Sequence, residues 1–578
     1  MKLGLESTER DGLTLRSEQI VFALWSVFSV ALIVAVAVFG VDLPKADDFE
    51  YVAQLVGEPV TFAWLIEPHN EHRILVPRLI WLGLDAVFGA NFTVAMFLNA
   101  VAMSAAVLTL LLAARRRFGA LTVTDAIIPL TFLGFNHWEN ITWAHQVQFV
   151  GGSVLACILM AVGLNNFDGR RRWVTATICL LLLPWFGAQS VLITFPLALW
   201  CLLHSYRLNG SARTALLVSS IISLVSVAGL VLSHRPSAGH ESLKAKSLFI
   251  AIKYTLAELA LSIALHSELA VLIGLVLLAV STVVAVLALR TGAAFESSDI
   301  LIAGLAGTIA LGFVTAAARA GNGSLVPADR YATLMAPGLI AAYLLARTLS
   351  AAGLASARVF AVLAVAFAGM NIQEGIEKFR KRSNVDRKIF NFLAAVSHPS
   401  EVPAPIIAQM HPSDTHARRI LGLLISARES FASQDKPIPP FTYRKWNEEE
   451  YCLVLEDSAA DGFSGTDFAR TVRDGLAVRG SFITDDAETG HVDVRVNRGQ
   501  RILYRTGPVV SRQKITIIGA SGFASKAPQA KDWLVLDFSI ASLPETFVVR
   551  FSDDGRGWGE WSAIGLSTPG ADCEAALP

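Results

Sequence analysis

Residues 19–51 read QIVFALWSVFSVALIVAVAVFGVDLPKADDFEY: an apolar run long enough to cross a bilayer, broken at Gly40 and followed within a few residues by paired carboxylates. A membrane helix needs about 20 apolar residues because lipid offers the backbone no hydrogen-bond partners. The rest of the chain repeats that pattern. Of 578 residues 53% are hydrophobic and 17% charged, and the mean hydropathy is +0.51. Charge is uneven: 44 Asp, Glu, Lys and Arg fall in residues 1–372 and 52 in the remaining 206. The first part is therefore read as membrane and the second as soluble. A net charge of zero argues against nucleic acid as a partner, since phosphate binding needs a basic surplus.

About eleven spans are expected, near 19–40, 92–114, 122–136, 146–164, 173–187, 190–206, 213–233, 268–289, 300–318, 332–348 and 357–372, with a break at Pro184 and Gly187 between the fifth and sixth. The first is read as an anchor and not a cleaved signal peptide, because its apolar run is too long and no small-residue cleavage pattern follows it. With the N-terminus cytoplasmic, the inner loops carry Arg115, Arg116, Arg117, Arg170, Arg171 and Arg172 and are denser in Lys and Arg than the outer ones. An odd number of spans then puts the C-terminal part outside the cytosol. Two long outer loops, 41–91 and 234–267, each contain a stretch that reads as an amphipathic surface helix, Phe49–Val56 and Leu248–Leu261.

Residues 373–440 read as a charged helical linker ending at the turn Lys436-Pro437-Ile438-Pro439-Pro440. From 441 the hydrophobic period becomes two, with strands expected at His491–Val496, Arg501–Arg505, Lys514–Gly519, Trp533–Ile540 and Thr546–Phe551. That pattern fits a β-sandwich. Trp533, Trp558 and Trp561 fit either its core or a sugar-stacking platform. Five cysteines without metal-ligand spacing exclude a structural zinc site. Cys157, Cys179 and Cys201 read as core residues, while Cys452 and Cys573 could pair outside the cytosol.

Chemistry concentrates in three clusters, all at outer ends of spans. The first is Asp47-Asp48 with Glu67-Pro68-His69-Asn70-Glu71-His72-Arg73 and Arg78 in the same loop. Acidic residues often populate the outer side of a span, but few loops are this dense in both acid and base. Carboxylates take a proton from a hydroxyl, and His and Arg stabilise a departing phosphate. The second cluster holds His137, Trp138, Glu139, Trp143, His145, Gln146 and Gln148. Its tryptophans fit an interfacial belt, whereas polar groups entering a span usually face a cavity or another helix. The third is Arg319 with Asp329-Arg330-Tyr331, where a short loop returns two guanidiniums to one face. They could snorkel to headgroups or clamp a phosphate. His234, Arg235, His240, Lys244 and Lys246 add base to the other long loop. The apolar segments are nearly free of charge at mid-bilayer, which argues for an interfacial site over a transport path.

The acidic pair Asp47-Asp48 followed by Tyr51, at the start of a long first outer loop in a chain of about eleven spans with an outer C-terminal domain, resembles the GT-C superfamily of polytopic glycosyltransferases. The resemblance covers residues 1–372. It implies a transferase that takes a sugar from a polyprenyl-phosphate donor and passes it, with inversion, to a glycan or lipid acceptor. Asp47 would be the base and Asp48 its partner or the alternative base. His69, His72, Arg73, Arg319 and Arg330 would hold the donor phosphate, and Glu71, Arg78, His137, Glu139, His145, Gln146 and Tyr331 would complete the substrate site. Asp47, Asp48, His69, Glu71 and His72 could bind a divalent cation, though no recognised ligand spacing requires a metal. The competing readings are a polysaccharide polymerase, ligase or flippase acting on lipid-linked glycans, and a non-catalytic sensor whose sandwich binds glycan.

Overall fold

A computed structural model describes residues 2–55, 58–70, 72–167, 169–234, 243–264, 269–290, 299–322, 326–349, 351–394, 402–411 and 413–432. It also describes ten shorter stretches: 442–445, 469–473, 476–481, 490–498, 501–506, 513–518, 524–526, 533–538, 545–553 and 562–565. Glu71, Arg235, His240, Cys452, Cys573, Trp558 and Trp561 lie outside the described residues. The chain divides into two compact units, Met1–Val396 with Ala404–Pro412, and Ser397–Pro403 with Ser413–Pro578.

The first unit is helical. Its helices are α1 (Lys2–Phe39), α2 (Phe49–Leu55), α3 (Phe62–Ile66), α4 (Leu75–Phe88), α5 (Phe92–Phe118), α6 (Ile127–Phe132), α7 (Trp138–Thr142), α8 (Val147–Gly163) and α9 (Arg170–Leu182). There follow α10 (Ala188–Ser205), α11 (Gly210–Leu232), α12 (Leu248–Leu261), α13 (Ala270–Arg290), α14 (Asp299–Arg319), α15 (Tyr331–Thr348), α16 (Ala351–Ala394) and α17 (Ala404–Met410). A small hairpin, β1 (Pro68–His69) and β2 (His72–Arg73), lies between α3 and α4.

Among the described residues eight helices are long and apolar enough to cross a membrane: Leu15–Phe39, Phe92–Phe118, Ala144–Gly163, Ala188–Ser205, Gly210–Leu232, Ala270–Arg290, Asp299–Arg319 and Ala355–Phe390. Large apolar side chains such as Val30, Val225, Leu272, Val283 and Val362 stand exposed on them, as lipid-facing positions should. The chain is an integral, polytopic helical membrane protein. Two expected spans take shorter forms: residues 122–136 break into 3-10 turns around α6, and 173–187 become the 13-residue α9 and a 3-10 turn. The expected 332–348 forms as α15, an 18-residue helix buried along nearly its whole length. The break between α9 and α10 falls at Pro184 and Gly187, whose φ of 124° suits glycine. α12 exposes Leu248, Phe249 and Ile252 on one face. It packs on α13, α14 and α15 and buries Ala251, Tyr254, Leu256, Ala257, Glu258, Ala260 and Leu261. Cys157, Cys179 and Cys201 are buried and free.

The second unit opens with α18 (Asp414–Ala432) and continues as strands: β3 (Thr442–Lys445), β4 (Ala469–Arg473), β5 (Leu476–Gly480), β6 (Gly490–Asn497), β7 (Arg501–Thr506), β8 (Gln513–Ile518), β9 (Ala524–Lys526), β10 (Leu534–Asp537), β11 (Thr546–Asp553) and β12 (Ser562–Gly565). They form two antiparallel sheets, ordered β3-β10-β7-β12-β5-β4 and β6-β11-β8-β9. The inward faces share one core. Val492, Val494, Val496, Phe547, Val549 and Phe551 come from the second sheet, and Ile502, Tyr504, Leu536 and Ile564 from the first. The alternation that marks these strands in the sequence is the alternation of this core. Trp533 is buried, which withdraws it from an exposed stacking platform.

Small residues let the helices approach closely where lipid supplies little driving force. A Cβ on Gly274 would stand 1.8 Å from the backbone oxygen of Leu256, so α12 and α13 pack backbone to backbone there. Gly274→Ala should lower the thermal midpoint of the purified protein, at a cost of about 1–3 kcal/mol from over-packing. Gly229→Ala, which meets open space, should not lower it.

Candidate functional site

The chain leaves α1 and turns at Ala46, whose φ of 46° is left-handed, into a 3-10 turn over Ala46–Asp48. A left-handed alanine is strained, and such strain persists only where its surroundings hold it. It sends two consecutive carboxylates to different places. Asp47 keeps about a third of its side chain accessible, whereas Asp48 is fully buried. Asp48 accepts the Lys45 amide at 3.1 Å. Burial pushes its carboxyl up to about 8, against the pull of the Lys45 side chain and that amide. Lys45 is itself buried, with its Nζ 3.0 Å from Asp386, and Arg382 reaches the same carboxylate at 2.9 Å.

The hairpin turns through Asn70, at φ 51°, a conformation two-residue hairpin loops demand and asparagine tolerates. It delivers His69 between two acids: Nε2 is 3.3 Å from Asp47 and Nδ1 is 3.1 Å from Glu50. Beneath them lies Arg78 of α4, fully buried, which donates to Glu50, to the Trp64 carbonyl and to the Glu67 carbonyl at 2.8 Å. Its guanidinium also stacks 4.8 Å above the Trp64 ring. Burial would lower the His69 pKa, but Asp47 and Glu50 reverse this and raise it to about 9. Burial would raise Asp47, but the hydrogen bond from His69 and the surrounding positive charge hold it well below the usual carboxylate range.

His145 opens the Ala144–Gly163 span. Its buried ring lies 5.2 Å from that of His69 and 5.3 Å from that of Tyr51, and neither ring nitrogen has a hydrogen-bond partner. One ligand atom each from Asp47, His69 and His145 lie within 4.8 Å of one another.

These residues meet the third cluster across a cavity of about 650 Å³. Asp47, His69 and His72 line it together with Lys244, Arg319, Arg330 and Tyr331, with apolar wall from Phe149, Leu192, Leu311, Val314 and Leu334. Among the described lining residues Asp47 is the sole carboxylate. Arg330 is fixed by Glu139, whose carboxylate takes its guanidinium at 2.9 Å and its amide at 3.0 Å. Other predicted residues stand behind this wall. Both ring nitrogens of His137 are engaged inside the helix packing, at 2.7 Å from Thr333 Oγ1 and from the Thr131 carbonyl. Gln146 is buried, and Arg73 donates to the Ile66 carbonyl. Glu50, Gln189 and Tyr254 went unassigned in the sequence reading. Only Glu50 left a signal there, three residues after Asp47.

No family model matches the chain, and no curated protein matches it. Among solved structures it is similar to the cryo-EM structure of arabinosyltransferase EmbB from Mycobacterium smegmatis, with 10% sequence identity and a TM-score of 0.25 over 93% of this chain. The chain spans 64% of the length of that one.

Arg78 is the group on which Glu50 and through it His69 depend. Arg78→Met should destabilise the protein by on the order of 3 kcal/mol, because a largely buried carboxylate loses its guanidinium partner and keeps only His69. The double variant with Glu50→Gln should be less destabilised than the sum of the single ones. Thermal unfolding of the four proteins measures that coupling.

Proposed function

We propose that the chain is a membrane glycosyltransferase that moves a sugar from a polyprenyl-phosphate donor to a cell-envelope glycan or lipid acceptor, with Asp47 as the general base. The observation that carries this reading is the composition of the cavity wall. One carboxylate, Asp47, lines it beside His69 and His72, and the same wall carries the cations Lys244, Arg319 and Arg330 and a set of apolar side chains. A phosphate carrying an isoprenoid tail needs both cations and apolar wall, and guanidinium holds phosphate bidentately. A sugar placed between the two groups would have its leaving phosphate on the arginine side and its acceptor on the Asp47 side.

The reaction then runs with inversion. A lone pair of the acceptor hydroxyl attacks the anomeric carbon, the bond from that carbon to the phosphate oxygen breaks, and its electron pair leaves with polyprenyl phosphate. The hydroxyl proton passes to Asp47. Asp48, engaged by the Lys45 amide, fully buried and absent from the cavity lining, shapes the turn and does not take the proton. The site is assigned to the extracytoplasmic face, with the N-terminus cytoplasmic and the C-terminal unit outside. Supporting this, Arg115, Arg116 and Arg117 occupy the last turn of α5, whereas its first residue, Phe92, is bonded through its amide to Asp42 beside the site.

Asp47→Asn should lose about 10²–10⁴-fold in turnover, the usual worth of a positioned base, while retaining donor binding. Asp48→Asn should be the milder change. Arg319→Ala and Arg330→Ala should mainly raise the donor KM. The assay is sugar transfer from a polyprenyl-phosphate donor in liposomes, with products identified by mass. Full turnover in Asp47→Asn would eliminate the base, and donor that crosses the bilayer with its sugar–phosphate bond intact would favour a flippase.

A further inference from the structure

We propose that Asp47, His69 and His145 form a binding site for a divalent first-row transition ion. Two imidazoles and one carboxylate are a recurrent ligand set for such ions, and the nitrogen donors favour Zn²⁺ or Mn²⁺ over Mg²⁺ and Ca²⁺. Two independent features point to a ligand here. The first is the convergence of donors: all three ligand atoms lie within 4.8 Å, with His69 Nε2 already 3.3 Å from Asp47 Oδ1. An ion about 2.1 Å from each donor needs donor separations of about 3.0–4.2 Å, so a small ring rotation completes the set. The second is His145 itself, fully buried with both ring nitrogens lacking a hydrogen-bond partner. A buried polar group without a partner is costly, and it persists where it serves a ligand.

The outer partners fit as well. Glu50 takes His69 Nδ1 at 3.1 Å, which turns Nε2 toward Asp47, and Arg78 holds Glu50 in turn. A carboxylate behind a ligating imidazole is the usual means of fixing its tautomer and orientation. The Lys45 amide bonds Asp48 and so holds the turn that bears Asp47. Asp47 and His69 line the cavity, so the ion would face its contents.

The role of the ion rests on the proposed glycosyl transfer; its binding does not. Bound to one oxygen of Asp47, the ion would coordinate the acceptor hydroxyl and acidify it. The other Asp47 oxygen would take the proton as the oxygen–carbon bond forms and the phosphate leaves.

The test uses the full chain in nanodiscs, stripped with chelator and titrated calorimetrically with Zn²⁺ and Mn²⁺, with elemental analysis for stoichiometry. One ion per chain is expected, and Mg²⁺ and Ca²⁺ should bind at least about tenfold more weakly. Asp47→Asn, His69→Ala and His145→Ala should each weaken binding at least as much as Glu50→Gln, which should cost roughly 10–100-fold. Electron paramagnetic resonance of the Mn²⁺-loaded wild type should show nitrogen couplings, independently of whether any variant folds. Absence of a stoichiometric ion, a spectrum without nitrogen, or unchanged affinity in His145→Ala would each overturn the site. Transfer that survives chelation with no ion bound removes the ion and leaves the transferase. A bound ion with no transfer from any polyprenyl-phosphate donor removes the transferase and leaves the site.

Discussion

A single carboxylate, Glu50, is shared between the buried guanidinium of Arg78 and the ring of His69, and the segment between α1 and α4 is organised around it. Arg78 cannot shed its proton, so a position with no solvent contact obliges the chain to bring it a counter-charge and carbonyl acceptors. Glu50 supplies the charge, while Trp64 and Glu67 supply the carbonyls. Meeting those needs folds the segment between α1 and α4 inward over α4, where it would otherwise have extended into water. One consequence is chemical. Because Glu50 occupies His69 Nδ1, Nε2 is the nitrogen left to face Asp47.

The same logic recurs around the site. Lys45 is balanced by Asp386, Arg330 by Glu139, and Asp329 by Lys378 at 2.8 Å. Two of these partners belong to α16, whose apolar half crosses the membrane and whose charged half continues to Ala394 in one helix. Phe379 of α16 stacks on Phe39 at the end of α1 and meets Phe135 edge-on, so the two helices close together beside the turn bearing Asp47. The site is thus held by pairs of opposite charge whose partners are distant in sequence. Deleting either member of such a pair costs more than the pair contributes, because the survivor stays buried.

That separation decides what could be read in advance. Apolar runs and the switch to a period of two are local, so the membrane character, the eight long helices and the strands β6, β7, β8, β10 and β11 were legible. The shorter helices were not. Residues 122–136 and 332–348 look alike by hydropathy, yet the first breaks into 3-10 turns and the second forms a helix enclosed by its neighbours. Asp47 and Asp48 are indistinguishable as letters, and only the left-handed Ala46 sends one to the cavity and the other to the Lys45 amide. His137 and His145 sat in one polar cluster on equal terms. The first has both nitrogens satisfied by Thr131 and Thr333, the second neither. No local pattern encodes that difference, since His137 and Thr333 are 196 residues apart.

Charge distribution in the cavity also bears on how a reaction could be arranged there. A base and a leaving phosphate must not compete for the same cations. If Asp47 stood against Arg319 or Lys244, a bound phosphate would lose its clamp. Instead Asp47 is bonded to His69, and Arg330 is braced by Glu139 from behind while still lining the cavity. On the proposed reading the carboxylate and the guanidiniums act on different parts of a ligand. An imidazolium or a metal ion beside Asp47 serves that separation equally, because either one satisfies the carboxylate locally. On the proposed reading, inversion is the stereochemical form of this separation, with attack guided from one part of the wall and departure stabilised at the other.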